Sequence, residues 1–529
     1  MPEPRKNSQT ESLVINVLWN WFAVAINIFA GVALTPYIVH KLGDSRYGVW
    51  ALAFAFMEYA LMFDLGFRSA VVNFVARFRA REDYQAINEL MNTAVAYLAV
   101  AASVIVTLAL FGAGLAVRLF QITPDNRSAF VYLVKVIGFT WGFAMVASVF
   151  DAGLQAFAQF KTVNRLLAAS MAVRSLGCVG LLYLGYGLRA MALVVVFSQV
   201  STYTLMFLAF RRIVPAFHFS LNFVSRARLR ELFGYGIHSV VASSASMLLN
   251  QGPPLVIGRY LPEAYVGYYA VPWRLLQYMV DLINRIGLVT SPKTAELFAV
   301  GRLDQITRLG ILVNRYSFAL FMPISIFVSV YAYNLLTRWI GPSYAAHSAP
   351  LIPVFAFSVT FVFAGQFNTT QLLYGIAQHG PYSRLILAEA IAGIVITVLV
   401  LPRYGMFGAA VVVCGLAVLS RGLITPYILC RHLGCSYARY MLSIYTRPVL
   451  TGVFILLLAF AMHTYWLPGY TWPQLILAAA IIGSVSVGVS YFTCVEKTHQ
   501  DVFVDNLRRR IFGPVRRRFV KVSGRRSDG

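Results

Sequence analysis

The chain has 529 residues, of which 59% are hydrophobic and 12% charged, and its formal net charge is +24 at pH 7. Soluble domains carry about 25% charged residues, so the composition excludes a soluble globular protein and indicates a polytopic membrane protein. The loops are too short for a separate domain, which argues against polymerases, ligases and glycosyltransferases with large external domains. Residues 1–11 are polar and the first apolar run is long, so we expect an uncleaved signal anchor.

Fourteen apolar segments are long enough to cross a bilayer as helices. Loops on one side of these segments, together with both termini, carry 29 basic residues, and loops on the other side carry eight. The positive-inside rule therefore predicts cytoplasmic termini and an even number of spans, in the inner (plasma) membrane. The predicted spans are 13–39, 47–72, 91–118, 129–157, 162–186, 190–210, 231–258, 264–290, 310–337, 348–374, 383–402, 406–430, 444–466 and 473–495.

The segment at the start of the second span recurs 219 positions later in the chain. Its members Leu42, Asp44, Gly48, Trp50 and Ala51 correspond to Leu261, Glu263, Gly267, Tyr269 and Ala270. The similarity extends over roughly 12–212 and 231–431, with six spans in each half, and both halves begin on the cytoplasmic side. This pattern indicates a parallel internal repeat about an axis along the membrane normal.

We therefore predict an all-α polytopic membrane protein with four parts. These are an N-lobe (1–215, spans 1–6), a C-lobe (216–435, spans 7–12), an appended helix pair (436–496, spans 13 and 14) and a basic amphipathic cytoplasmic tail (497–529).

Charged residues inside two of the spans are the first candidate site residues. Span two carries Glu58, Asp64 and Arg68, and span eight carries Arg274, Asp281 and Arg285. Asp64 with Arg68, and Asp281 with Arg285, are four positions apart and are expected to pair on one helix face. A charge near the membrane centre costs about 3 kcal/mol on insertion scales, so such residues usually face a protein interior or a wet cavity.

Positive charges outnumber negative charges within the predicted spans, by seven to five. At least two cations are left without a partner, and a cavity with surplus positive charge suits an anionic substrate. Arg274 has no acidic residue three or four positions away, so its own helix cannot neutralise it. Its structural alternative is an ion pair with Asp151 or Glu389 on another span.

Amide and hydroxyl side chains share one helix face in spans one and seven. They are Asn16, Asn20 and Asn27 in span one, and Ser239, Ser243, Ser246 and Asn250 in span seven. At the repeat offset Asn20 corresponds to Ser239 and Asn27 to Ser246. Two interpretations stay open, namely hydrogen bonding between helices and the lining of a wet cavity.

In the tail, apolar residues recur every four positions among basic residues, which predicts an amphipathic segment that lies on the anionic inner leaflet. Nucleic-acid binding is the alternative for its charges, but adjacent lipid already satisfies them. Cys430, Cys435 and His432 provide too few neighbouring ligands for a metal. The histidines are scattered along the chain without a catalytic constellation. We therefore expect no enzyme activity, no metal and no cofactor.

A family resemblance rests on the start of the second span and on the lobe organisation. The pattern Leu42-Gly43-x-x-x-Tyr47-Gly48-x-Trp50, then Asp64-Leu65-Gly66, resembles the polysaccharide flippases of the multidrug/oligosaccharidyl-lipid/polysaccharide (MOP) exporter superfamily, over about residues 12–495. The resemblance implies alternating access between two lobes and export of glycans carried on polyprenyl diphosphate. It also implies that the extra helix pair shapes a groove for the lipid tail. Lipid II flippases are similar but tend to have arginine in the first span, where this chain has asparagines.

The expected function is therefore export of a lipid-linked oligosaccharide for cell-surface polysaccharide biosynthesis. Polysaccharide polymerase or export machinery is an expected partner. Arg274 and Arg285 are the expected ligands of the diphosphate; the other candidate site residues are Asp281, Arg68, Asp64, Glu58, Asn20, Asn27, Ser243 and Asn250. A cation-coupled small-molecule antiporter and a non-transporting scaffold of a glycan assembly complex are the alternatives.

Overall fold

The structure is a computed structural model that describes residues 28, 31–64 and 66–501. The described residues form helices and connecting loops and contain no strand. Residues 31–42 are helical. After them come α1 Asp44–Glu58, α2 Phe67–Ala80, α3 Tyr84–Leu119, α4 Pro124–Ala156, α5 Phe160–Tyr183, α6 Leu188–Ile213, α7 Arg226–Tyr260, α8 Glu263–Ala299, α9 Leu303–Val330, α10 Ala332–Trp339, α11 Pro342–Ser348, α12 Leu351–Ser358, α13 Gly365–Gly375, α14 Gly380–Ala417, α15 Thr425–Leu433, α16 Tyr437–Ala461 and α17 Trp472–Thr493.

Nine helical segments within the described ranges are long and apolar enough to cross a membrane. They are α3, α4, α5, α6, α9, α17 and the segments Leu351–Gly375, Gly380–Leu433 and Tyr437–Trp466. The 54-residue segment Gly380–Leu433 contains two of the predicted spans, and its backbone leaves the helical conformation at Gly405 (φ 59°). The polytopic all-α class is thus confirmed, whereas the count of fourteen spans stays a prediction. Most of predicted span one and the predicted tail lie outside the described residues.

The predicted continuous helix over 47–72 is wrong, because the chain breaks in the middle of it. Helix α1 ends at Glu58, the segment Tyr59–Asp64 continues as a tighter 3₁₀ helix, and α2 begins at Phe67. Gly66 lies between them with φ 72°, a left-handed conformation that glycine adopts without a steric penalty. A 3₁₀ segment that interrupts an otherwise continuous helix often marks a hinge.

The same backbone geometry recurs at the offset that the sequence predicts. Ala158 and Ala377, 219 positions apart, have φ values of 58° and 57°, although alanine rarely adopts a left-handed conformation. Glu82 and Gly301, at the same offset, have φ values of 55° and 71°. Each of these two residues accepts a hydrogen bond of 3.1 Å, from the backbone N–H of Tyr84 and of Leu303, where α3 and α9 begin.

The described residues pack as two compact units. The first comprises Met1–Leu282, Leu336–Ser358 and Gln378–Leu423, and the second Ile283–Leu335, Val359–Ala377 and Ile424–Gly529. In the first unit α3 packs on α4, and α7 packs on α14 through Ala245, Ile386 and Ala390. In the second unit α9 packs on α16 and α17 around a buried apolar cluster. These units do not follow the predicted lobe boundaries at 215 and 435, so the lobe division stays a prediction.

Candidate functional site

The broken helix places one predicted site residue, Glu58, at the end of α1. Its carboxylate accepts a hydrogen bond from the side-chain amide of Gln251 on α7. Gln251 is followed by Gly252, Pro253 and Pro254 within the same helix. Because proline has no backbone N–H, α7 lacks two backbone donors in the turn that follows Gln251.

Arg274 on α8 is electrostatically coupled to Glu58 although the two residues lie far apart in sequence. Its guanidinium carbon is 5.1 Å from the centroid of the Tyr278 ring, one turn further along the same helix. The side chain of Arg274 is exposed, and within the described part of the chain no carboxylate forms an ion pair with it. Arg274 is therefore held over an aromatic face, and the N–H donors of its guanidinium group are accessible.

A second arginine, Arg174 on α5, belongs to the same cluster. It is coupled electrostatically to Arg274, and its guanidinium carbon is 5.9 Å from the centroid of the Phe54 ring on α1. Arg174 is exposed as well. Arg174 is one of the seven positive charges counted within the predicted spans, but no sequence pattern places it beside Arg274, because the two arginines are 100 positions apart. Arg174 thus interacts with Arg274, and Arg274 in turn interacts with Glu58.

Aromatic side chains complete this cluster. Tyr47 on α1 interacts electrostatically with both Arg274 and Tyr278. A Cβ atom at Gly31 would lie 1.7 Å from the Tyr278 hydroxyl oxygen, so the absence of a side chain at Gly31 lets Tyr278 approach that backbone. We name Glu58, Gln251, Arg174, Arg274 and Tyr278 the arginine cluster; all five residues belong to the first unit.

Arg68 and Asp64, which the sequence pairs, do not share a helix face, because Gly66 interrupts the helix between them. Arg68 forms its ion pair with Asp151 on α4 instead, and the Gln155 amide donates to the same carboxylate at 3.0 Å. Glu389, the other acid considered as a partner of Arg274, is bound by Arg421 at 2.8 Å and by the Ser420 hydroxyl. Both acids that could have formed a structural bridge with Arg274 are therefore paired with other arginines.

The remaining predicted site residues are not placed in the arginine cluster by any contact of the described residues. Ser243 and Asn250 are exposed on α7, and the Asn250 amide donates to the Ser246 carbonyl of its own helix at 2.8 Å. Asp281 is half-buried on α8. Asn20 and Asn27, and the side chains of Asp64 and Arg285, lie outside the described residues, so their roles stay predictions.

The chemistry of the arginine cluster favours an anion. Arginine presents planar donors that match two oxygens of a phosphate or carboxylate, and the arginine cluster contains two arginines and one carboxylate. Within the described residues no group of three or more histidine, cysteine, aspartate or glutamate side chains could hold a metal ion.

The fold is similar to that of solved membrane transporters of the MOP superfamily. The structure matches lipid II flippase MurJ in its inward closed conformation with a TM-score of 0.69 and 11% identity, covering 90% of this chain and 99% of MurJ. It matches an inward-facing multidrug resistance MATE family transporter of the MOP superfamily with a TM-score of 0.62 and 14% identity, covering 77% of this chain and 94% of the transporter.

The sequence comparison then gives the family. A family model described as polysaccharide biosynthesis protein matches residues 42–349, more than half of the chain, and the chain belongs to this family. It is 19% identical to a putative O-antigen transporter of Shigella flexneri (76% of this chain, 94% of the relative). It is 22% identical to the probable flippase AglR of Haloferax volcanii (72% and 76%). The match to the uncharacterized membrane protein MJ1068 of Methanocaldococcus jannaschii, 21% identical, spans 43% of each chain.

Proposed function

We propose that this protein is a flippase that moves a polyprenyl-diphosphate-linked oligosaccharide from the cytoplasmic to the outer leaflet of the inner (plasma) membrane. The family and the relatives named transporter and flippase support the class of activity. One observation carries the choice of an anionic headgroup, namely that Arg274 interacts with a second arginine, Arg174, as well as with the carboxylate of Glu58.

The electrostatics of this pair favour a ligand with two or more negative charges. Two guanidinium groups that interact across a site of low dielectric repel each other, and one carboxylate neutralises one of them. A bound diphosphate supplies the missing negative charge and can accept hydrogen bonds from both arginines. The polyprenyl chain stays in lipid, so that only the diphosphate and the first sugars enter the protein.

The broken helix between α1 and α2 supports a mechanism of alternating access. Glu58 ends α1 immediately before the 3₁₀ segment and Gly66. A rotation at this break moves Glu58 relative to α2 and thereby changes the electrostatic interaction between Glu58 and Arg274. Binding energy from the diphosphate is in this way coupled to the conformation of the helix, as population shift requires.

A second function, antiport of a cationic small molecule against an ion, is favoured by two observations. The fold resembles a multidrug resistance MATE transporter, and Glu58 supplies a carboxylate in the same cluster. The two arginines oppose this function, because a cationic substrate would meet a net positive site. Lipid-linked glycan and lipophilic cation are therefore the two substrates to compare.

The test is a reconstituted flipping assay with the purified full chain in liposomes. A fluorescent glycan on polyprenyl diphosphate is placed in both leaflets, and a membrane-impermeant quencher reports how much headgroup reaches the outer leaflet. We expect quenching beyond the fraction seen in protein-free liposomes, and none beyond it for the same fluorophore on a neutral polyprenol. Transport of a lipophilic cation without any movement of the glycan lipid would overturn the proposal in favour of the antiporter.

A further inference from the structure

Two carboxylates mark the first turns of α1 and α8, at the positions that the repeat makes equivalent. Asp44 begins α1 and Glu263 begins α8, 219 positions later. Neither residue belongs to the arginine cluster, and the proposed mechanism does not use either of them. The charge bias of the loops predicts that both helix starts face the outside, together with the loops that precede α4 and α11.

The Asp44 carboxylate binds hydroxyl groups of the second half of the chain. Its Oδ2 atom accepts a hydrogen bond from the Tyr268 hydroxyl at 2.8 Å and another from the Ser343 hydroxyl at 2.7 Å. The Tyr268 and Ser343 oxygens are themselves 2.8 Å apart. Tyr268 belongs to α8 and Ser343 to α11, so one acid of the first repeat ties together two outer helix starts of the second.

The Glu263 carboxylate makes the reciprocal contacts with the first half of the chain. Its Oε1 atom accepts hydrogen bonds from the Ser45 hydroxyl at 2.6 Å, the Thr123 hydroxyl at 2.6 Å and the Asn126 amide at 2.9 Å. The backbone N–H of Thr123 donates to Oε2 at 3.2 Å. Glu263 is buried although it carries a carboxylate, and these donors compensate the loss of water.

Two glycines at the repeat offset let the two helices cross closely beside these carboxylates. A Cβ atom at Gly48 would lie 1.9 Å from the Glu263 carbonyl oxygen. A Cβ atom at Gly267 would lie 3.1 Å from the Tyr47 ring and 3.6 Å from the Gly48 Cα atom. A side chain at Gly48 would clash with the α8 backbone and force α1 and α8 apart, whereas a Cβ atom at Gly112 on α3 would have no neighbouring atom within 4 Å.

We propose that these two carboxylates and their partners form an outer latch, which closes the external end of the transport pathway and opens once in each cycle. The outer latch consists of Asp44 with Tyr268 and Ser343, and of Glu263 with Ser45, Thr123 and Asn126; all of these residues belong to the first unit. It rests on the proposed transport function.

The chemistry of the outer latch suits a contact that must separate and reform. Each of its bonds joins a carboxylate to a hydroxyl or amide, and water can replace either partner when the helices part. An apolar contact of the same size would expose hydrocarbon to the external solvent on every opening. The repeat places one carboxylate in each half of the chain, and each carboxylate accepts hydrogen bonds from the other half. The two halves are therefore joined by the same type of bond in both directions.

The test is a distance measurement across the outer latch that needs no substrate. Arg46 and Ala346 are exposed residues on either side of it, and both are replaced by cysteine and spin-labelled. Cys435, which is half-buried while the other four cysteines are buried, is replaced by serine. Pulsed electron paramagnetic resonance then reports the distribution of label separations in the purified full chain.

We expect one short separation in the starting protein and a longer separation whose population rises at least fivefold in Asp44→Asn/Glu263→Gln. Gly48→Ala, which keeps every latch side chain, is expected to produce the same longer separation, and the matched Gly112→Ala is expected to leave the distribution unchanged. Identical distributions in the starting protein, in folded Asp44→Asn/Glu263→Gln and in folded Gly48→Ala would overturn the latch.

A cross-link adds a second measurement and separates the latch from the proposed function. Asp44→Cys/Ser343→Cys replaces one bonded pair by a disulfide. We expect oxidation to stop glycan flipping and reduction to restore it, with the wild-type chain unaffected by the oxidant. Flipping that continues with the disulfide verified by mass spectrometry contradicts the latch alone. A wild-type chain that flips no glycan lipid contradicts the proposed function and leaves the distance measurement valid.

Discussion

Charged side chains within the membrane-embedded part of the first unit are neutralised in two different ways. In Arg68–Asp151 and Arg421–Glu389 each guanidinium meets one buried carboxylate, and neighbouring side chains donate to the same acid. In the arginine cluster Arg274 interacts with both Glu58 and Arg174, the two arginines stay exposed, and neither forms an ion pair among the described residues. The comparison indicates that closed pairs hold helices together, whereas an open cluster is available for a ligand.

The largest expected effect on stability comes from breaking the more deeply buried closed pair. The Glu389 side chain is 0% exposed and that of Arg421 is 17% exposed. Glu389→Ala leaves a buried guanidinium without its acid, and we expect a loss of about 3–5 kcal/mol in the free energy of unfolding. Chemical denaturation of the detergent-solubilised chain measures it. Glu389→Leu/Arg421→Met is the matched control and is expected to recover most of the loss; if it does not, the pair is not the source of the effect.

The second closed pair predicts an asymmetry, because its two members differ in exposure. The Asp151 side chain is 4% exposed, whereas that of Arg68 is 48% exposed. Arg68→Ala strands a buried carboxylate and is expected to cost about 1–3 kcal/mol, while Asp151→Asn leaves a guanidinium that water can reach and is expected to cost less. Turnover per folded molecule is expected to stay unchanged in both. If both variants lower the melting temperature equally, or if folded Arg68→Ala loses flipping, Arg68 belongs to the substrate site and not to a structural pair.

Within the arginine cluster, Arg174→Ala tests whether an arginine without an ion pair contributes to transport and not to stability. We expect flipping to fall about tenfold, equivalent to about 1.4 kcal/mol, with an unchanged or slightly higher melting temperature because repulsion with Arg274 is removed. In Arg174→Ala/Arg274→Ala the two losses are expected not to add, since both arginines bind one anion. Arg118→Ala, an exposed arginine on α3, is the control. Full additivity would indicate two independent roles.

The smallest effect is expected at a pair on the predicted cytoplasmic side, in which Arg308 is exposed and Glu496 is half-buried. Arg308 and Glu496 are 2.8 Å apart, and the hydrogen bond from Arg308 lowers the pKa of the Glu496 carboxyl. A lowered pKa contributes stability above the ordinary carboxyl range and loses it as the pH falls through the folded value. Glu496→Gln is therefore expected to lower the melting temperature slightly at pH 7 and not at all in acid or 1 M salt. A salt-independent loss would contradict a solvent-accessible ion pair.

The sequence predicted the features that depend on short-range pattern. Apolar length gave the all-α polytopic class, and the repeat offset of 219 located Ala158 and Ala377, which share an unusual backbone conformation. It also aligned Asp44 with Glu263 and Gly48 with Gly267, whose contacts form the outer latch. These features can be predicted because each depends on neighbouring residues or on a direct comparison of two segments of the sequence.

Contacts between distant residues were beyond the sequence. Hydrophobicity does not distinguish a continuous helix from one that breaks at Gly66, so the i, i+4 rule paired Arg68 with Asp64 where the fold pairs it with Asp151. Nothing in the pattern placed Arg174 beside Arg274, or Gln251 on Glu58. Such pairs depend on how helices pack, and packing is set by the sum of many contacts that no local period reports.

The central claim is that Arg274 binds the substrate and does not brace the fold, and one paired measurement tests it most directly. Flipping of the glycan lipid and thermal unfolding are measured on the same preparations of wild type, Arg274→Ala, Arg274→Lys and the control Arg118→Ala. We expect Arg274→Ala to lose flipping with an unchanged melting temperature, and Arg274→Lys to keep a fraction, because a lysine point charge matches phosphate oxygens only in part. An Arg274→Ala protein that melts lower and is obtained in lower yield, yet still flips the lipid, would contradict the claim.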